Sequence, residues 1–162
     1  MNRRKQKKLP GLLVEAAALG YTGRVQALLR AGASPQSASA EGTTPLYAAA
    51  VQGAAGAARC LLAAGALPDT ESGTGTEGTP LCAAACHGHA ETVRLLLAHR
   101  ADPNLREDHG TGRSPLDWAV SGHHPETIAL LPAAGASYPT GRPSTRRFRG
   151  EAVRPGRSRD GR

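Results

Sequence analysis

Thr79-Pro80-Leu81-Cys82-Ala83-Ala84-Ala85-Cys86-His87-Gly88 is the stretch that decides the fold. Its opening triplet returns as Thr44-Pro45-Leu46 and Ser114-Pro115-Leu116, with successive starts 35 residues apart. Three positions after each Leu stands an Ala (Ala49, Ala84, Ala119), and seven after the first two stands a Gly (Gly53, Gly88). A period of this length marks a stacked-repeat architecture, in which each unit covers its apolar face only with its neighbours.

A second apolar stretch with a small-residue turn follows in each unit: Leu61-Leu62-Ala63-Ala64-Gly65-Ala66 and Leu96-Leu97-Ala98-His99-Arg100-Ala101-Asp102-Pro103-Asn104. The first of these has an upstream copy, Leu28-Leu29-Arg30-Ala31-Gly32-Ala33. Counting back from Leu46, Ala49 and Gly53 reaches Leu13, Ala16 and Gly20, so a first unit exists without its Thr-Pro. The pattern predicts four units, roughly 10–40, 41–75, 76–110 and 111–140.

Physical reasons accompany each part. A Thr or Ser hydroxyl accepts a hydrogen bond from an orphan N–H at a helix start, and Pro just inside that start loses nothing by lacking its own N–H. Leu and Ala three apart share one face, and the small Ala admits a neighbouring helix. Gly then ends the short first helix in the left-handed region. A second helix carries its apolar stripe at Val25, Leu28 and Leu29, and again at Val93, Leu96 and Leu97.

With Thr-Pro-Leu-x-x-Ala, a following Gly with His89 or His124 nearby, Leu-Leu-x-x-Gly-Ala and Asp102-Pro103-Asn104, the unit closely resembles the ankyrin repeat over about residues 10–140. That resemblance implies an all-α solenoid of stacked antiparallel helix pairs with β-turn fingers, and a concave face of finger tips and first helices that binds another protein. It places contact positions at Glu41, Thr43, Tyr47, Val51 and Gln52 in the second unit, Thr76, Glu77, Cys86 and His87 in the third, and Arg113, Asp117 and Ser121 in the fourth.

Departures from the family pattern are informative. Its His after Leu is replaced by Tyr47, Cys82 and Asp117, and the last two fingers each hold two extra residues. The segment 71–78 reads as a long, mobile finger. His123 stands where a Gly is expected, and Pro132 replaces the second Leu of the last helix. A helix-interior Pro costs about 3 kcal/mol, so that helix is expected to kink or end early and the fourth unit to be an imperfect cap.

One Trp, one Phe and three Tyr are poor material for a single aromatic core but suffice for stacked Ala and Leu. The net charge of +7 is unevenly placed. Residues 1–8 contribute +5 and residues 142–162 contribute +6, leaving 9–141 at −4. Both basic ends, 1–9 and 141–162, read as disordered tails flanking one repeat domain. Seventeen Arg against three Lys, with abundant Ala, Gly and Pro, suggest a high-GC bacterial source. The basic start followed by Leu9–Leu19 imitates a secretory signal, but Glu15 interrupts it and the first helix needs those residues. No apolar run approaches the ~20 residues that span a bilayer. A soluble, cytoplasmic monomer is expected.

Candidate chemistry is sparse. Three cysteines (Cys60, Cys82, Cys86) argue for free thiols. Cys82, Cys86, His87 and His89 offer soft ligands, but at no familiar zinc spacing; neither metal nor cofactor is assigned. Cys86 and His87, being adjacent on a helix, do not face each other as a nucleophile pair would. All six His lie in the last two units, read as surface residues on helix ends and loops. Trp118 is read as packing between helices rather than as an anchor. Gly73-Thr74-Gly75 and Gly110-Thr111-Gly112 lack the Lys and helix of a phosphate-binding loop. The expectation is a non-enzymatic protein-binding module with Tyr47 as anchor. Its rival is a nucleic-acid-associated protein that grips phosphate through its tails, with the repeats as scaffold.

Overall fold

The computed structural model describes residues 8–73 and 77–138. The basic residues 1–7 and the Arg-rich residues 142–162 lie outside them, as do Thr76 and the rest of 74–76 in the third unit's finger. Among the described residues, eight helices form four consecutive pairs. These are α1 (Leu9–Ala18) with α2 (Thr22–Arg30), α3 (Pro45–Val51) with α4 (Ala55–Ala63), α5 (Pro80–Cys86) with α6 (Ala90–Ala98), and α7 (Pro115–Ser121) with α8 (Pro125–Ala133).

The hydroxyl-proline triplets start their helices as expected. Thr44 Oγ1 accepts from the Tyr47 N–H at 3.3 Å and Thr79 Oγ1 from the Cys82 N–H at 3.2 Å. Ser114 and Asp117 complete a reciprocal capping box, with bonds of 3.2 and 3.1 Å. The first unit lacks this device: Lys8 caps α1 with no side-chain bond.

All eight helices close by one scheme, in which the residue after the C-cap donates into the last turn and the next residue donates further back. In α3 these bonds are Gly53 N–H to Ala50 O and Ala54 N–H to Ala49 O; in α6 they are Arg100 to Leu97 and Ala101 to Leu96. The scheme requires positive φ at its hinge. Six hinges are Gly; the other two are His123 at φ 56° and Arg100 at φ 66°. Arg carries the full steric penalty of the left-handed region there.

Leu13, Leu46, Leu81 and Leu116 of the first helices are fully or nearly fully buried, with Val25, Leu61, Leu96 and Leu131 of the second. Ala16, Ala49, Ala84 and Ala119 of the same first helices are completely buried, in the end units as in the middle ones. Neighbouring first helices approach each other more extensively than neighbouring second helices do, which places the first helices on the inner side of the stack's bend. At the last unit, Ile128, Val120 and Trp118 are only half-buried, whereas their counterparts Val93, Ala85 and Ala83 are buried. No further unit covers them among the described residues.

One expectation fails here. Helix α8 keeps the nine residues of α4 and α6 and runs through Pro132 to Ala133. Pro132 sits in the final turn, where its missing N–H removes one ladder bond at a half-exposed edge. The closing bonds from Gly135 to Pro132 O and Ala136 to Leu131 O are intact.

His89 and His124 also differ from scattered surface histidines. Each is half-buried and spans two units: His89 Nε2 donates to the Val51 carbonyl at 3.0 Å, His124 Nε2 to the Cys86 carbonyl at 2.9 Å. These carbonyls end α3 and α5, where helical partners run out. The rings lie over the hinge glycines of the preceding unit. A Cβ on Gly53 would fall 2.6 Å from His89 Nδ1, and one on Gly88 2.5 Å from His124 Nδ1.

Two outcomes are expected in urea unfolding. Arg100→Gly raises stability by about 0.5–1 kcal/mol, the steric relief exceeding the added chain entropy of Gly. Gly88→Ala lowers it by about 2 kcal/mol, through backbone strain and displacement of the His124 ring.

Candidate protein-binding face

Fingers and first helices bring the expected contact residues to one side of the stack, with unequal exposure. Glu41, Gln52, His87, Arg113 and Ser121 are exposed; Thr43, Tyr47, Val51, Glu77, Cys86 and Asp117 are half-buried. Tyr47 and Val51 of α3 rest partly on the core, so neither is a freely exposed first-helix residue. Thr76 falls outside the described residues.

Glu77 organises the middle of this face. Its carboxylate accepts from Thr43 Oγ1 and from Ser72 Oγ, each at 2.7 Å, and Ser72 Oγ in turn accepts from the Thr44 N–H at 2.8 Å. The second and third fingers are thereby locked together, with Gly73 N–H donating to Gly42 O at 2.9 Å. An isolated antiparallel bridge between Ser72 and Gly78 closes the described flanks of the long finger. At the tip of the second finger, the Ser39 hydroxyl donates to Glu41 at 2.7 Å and holds that carboxyl below its usual range.

Sequence reasoning missed Glu107 and undervalued Trp118. The Trp118 indole N–H donates to Glu107 Oε2 at 2.7 Å, and the Arg113 guanidinium lies 4.6 Å from the centre of the indole ring. Arg113 also donates to Ser121 Oγ at 3.2 Å, and Arg106 pairs with Asp117 at 3.3 Å. Burial raises the Glu107 carboxyl above its ordinary value, the indole hydrogen bond opposing it. Tyr47 is likewise raised, first by burial and then by the charges of Glu77 and Glu107. Nothing in the local sequence of Glu107 separates it from other finger acids; the fold of its finger back onto α7 sets it beside Trp118.

The cysteines are part of the packing. Cys82 is completely buried, with Sγ 3.8 Å from Leu105 O and 3.7 Å from Arg113 O, and burial pushes its thiol up to about 12. It is thus bonded to the next finger, in place of the usual His contact. Cys86 is half-buried rather than exposed, and burial raises its thiol as well. No group of three metal-ligating side chains converges among the described residues. No helix among them is long and apolar enough to cross a membrane.

The family model for ankyrin repeats (3 copies) matches residues 13–107 and 67–140. The chain is an ankyrin-repeat protein. No curated protein matches it. Ankyrin repeats are generally protein–protein interaction modules and typically not enzymes.

Charge divides this ankyrin stack. Between residues 9 and 138, the loops, fingers and first helices hold nine carboxylates against Arg106 and Arg113. The second helices and their closing turns hold five Arg against Glu91 and Glu126. Those two acids pair across units, Glu91 with Arg59 at 3.7 Å and Glu126 with Arg94.

Glu107 should report through the only Trp in the chain. Trp118 emission is expected to titrate with an apparent pKa above 4.5, and Glu107→Gln to abolish that transition. A raised carboxyl contributes stability fully present below its unfolded pKa and lost as pH rises through the folded one. Unfolding curves at acid and neutral pH should therefore show Glu107→Gln relatively more favourable at neutral pH.

Proposed function

We propose that this protein binds one protein partner on the face made by its fingers and first helices. The observation that carries the reading is the pair of preordered carboxylates on that face, Glu77 and Glu107, which successive fingers supply. Bonds from Thr43 and Ser72 hold Glu77, and one from Trp118 holds Glu107, before any partner arrives. A rigid stack loses little conformational freedom on binding, so more of the contact energy appears as affinity. Four short units offer about the ~800 Å² per partner of an ordinary interface. On compositional grounds we place it in the cytoplasm of a high-GC bacterium, as a monomer without cofactor or catalysis.

Tyr47 is the proposed energetic anchor: half-buried, aromatic, and central to the face. A polyanion is a poor fit here, because an excess of carboxylates repels phosphate. The nucleic-acid reading would therefore rest on residues 1–8 and 142–162 alone.

The partner would be identified by capture from the native cell and mass spectrometry, and its Kd measured by calorimetry. Tyr47→Ala should weaken binding by about 30-fold, a hot-spot loss. Glu91→Ala, on the second-helix side, should leave it within about twofold. Equal affinity of the wild type and Tyr47→Ala would refute the anchor; binding lost only with Glu91→Ala would move the site to the other side.

A further inference from the structure

The finger-side face is acidic across three units, and the chain itself carries a cationic segment. Residues 142–149 read Arg-Pro-Ser-Thr-Arg-Arg-Phe-Arg, four guanidiniums and no acid. The described chain ends close to this face: Ser137 N–H donates to Asn104 Oδ1 at 2.8 Å, three residues before Glu107. Arg142 follows Tyr138 by four residues. Packed units lie about 10 Å apart, and eight extended residues reach about 26 Å, enough to pass over two fingers.

Successive fingers already join edge to edge. Gly73 N–H donates to Gly42 O at 2.9 Å, and His109 N–H to Glu71 Oε1 at 3.2 Å, with His109 Nδ1 2.7 Å from Glu71 Oε2. The outer edge of the last finger has no such neighbour among the described residues. Exposed Asp108 stands on that finger beside Glu107, with Glu77 one unit further along.

We propose that segment 142–149 docks in cis along the finger-side face, its guanidiniums on Asp108, Glu107 and Glu77, and so covers the surface a partner would use. Tethering gives an effective concentration in the millimolar range, so even weak charge pairing keeps the segment in place at low salt. Bidentate geometry suits Arg to these carboxylates better than Lys. Competition with a partner rests on the binding face proposed above, but docking itself does not. Its test needs no partner, so failure here leaves that reading standing.

Trp118 provides the signal, as the only Trp and a direct neighbour of Glu107. Acrylamide quenching is measured on the full chain at salt concentrations spanning screening lengths of about 20 Å to about 4 Å. With docking, the quenching constant is about twofold smaller at low salt than at high salt, independent of protein concentration. The full chain with Arg142, Arg146, Arg147 and Arg149 changed to Gln should show the high-salt value throughout. Glu77→Gln combined with Asp108→Asn, neither of which touches Trp118, should shrink the salt response, with circular dichroism confirming the helices. An unchanged salt response in the arginine variant, or none in the wild type, overturns the proposal. A response that grows with protein concentration assigns the segment to a second copy and overturns docking in cis.

Discussion

Each helix pair in this chain has an apolar side that only another pair can cover, and the packing works because the inner helices carry alanine where they are most deeply buried. Ala16, Ala49, Ala84 and Ala119 are completely buried, in the end units as in the middle ones, and a larger side chain at any of them would push its packed neighbours apart. Seven-residue first helices are too short to persist alone. Their starts are fixed by a hydroxyl cap and a proline, their ends by a hinge with positive φ, and their existence by the neighbour. Stability is accordingly shared along the stack, and the final unit, with Ile128, Val120 and Trp118 half-buried, is its least supported member.

The same stacking makes the face. A finger alone is a short turn with polar residues; two fingers side by side place Thr43, Ser72 and Glu77 within hydrogen-bonding reach, and the next unit adds Glu107 and Trp118. The carboxylates that make this side acidic also act as cross-links between units, so structure and recognition draw on the same groups. The second-helix side is organised differently, by exposed Arg–Glu pairs of little energetic weight. That asymmetry gives the ankyrin stack two electrostatic sides, and only the inner one has half-buried aromatics.

Histidines 89 and 124 show how a repeated position acquires a role through its neighbour. In the second unit the same place is taken by Ala54, which would leave a Cβ on the preceding Gly20 ordinary van der Waals room at 3.6 Å, and no ring reaches a carbonyl. In the third and fourth units the imidazole ties the units together through the carbonyl left free at the end of the previous inner helix. The later junctions are thus bonded as well as packed.

Read alone, the sequence determined the period, the caps, the glycine hinges and the Leu and Ala that form the core, because each is a local or strictly periodic requirement written in residue type. It also determined the family, and with it the side on which contacts were expected. Other features were decided only by the tertiary structure. Pro132 is tolerated because it falls in a final turn, at a half-exposed edge. Arg100 is forced into the left-handed region because the closing bonds of α6 demand it. Glu107 reaches Trp118 because the last finger folds back onto α7, and Cys82 is sealed against that finger because the units stack. Such contacts depend on how closely the folded backbone brings separate residues together, and no local pattern encodes a distance.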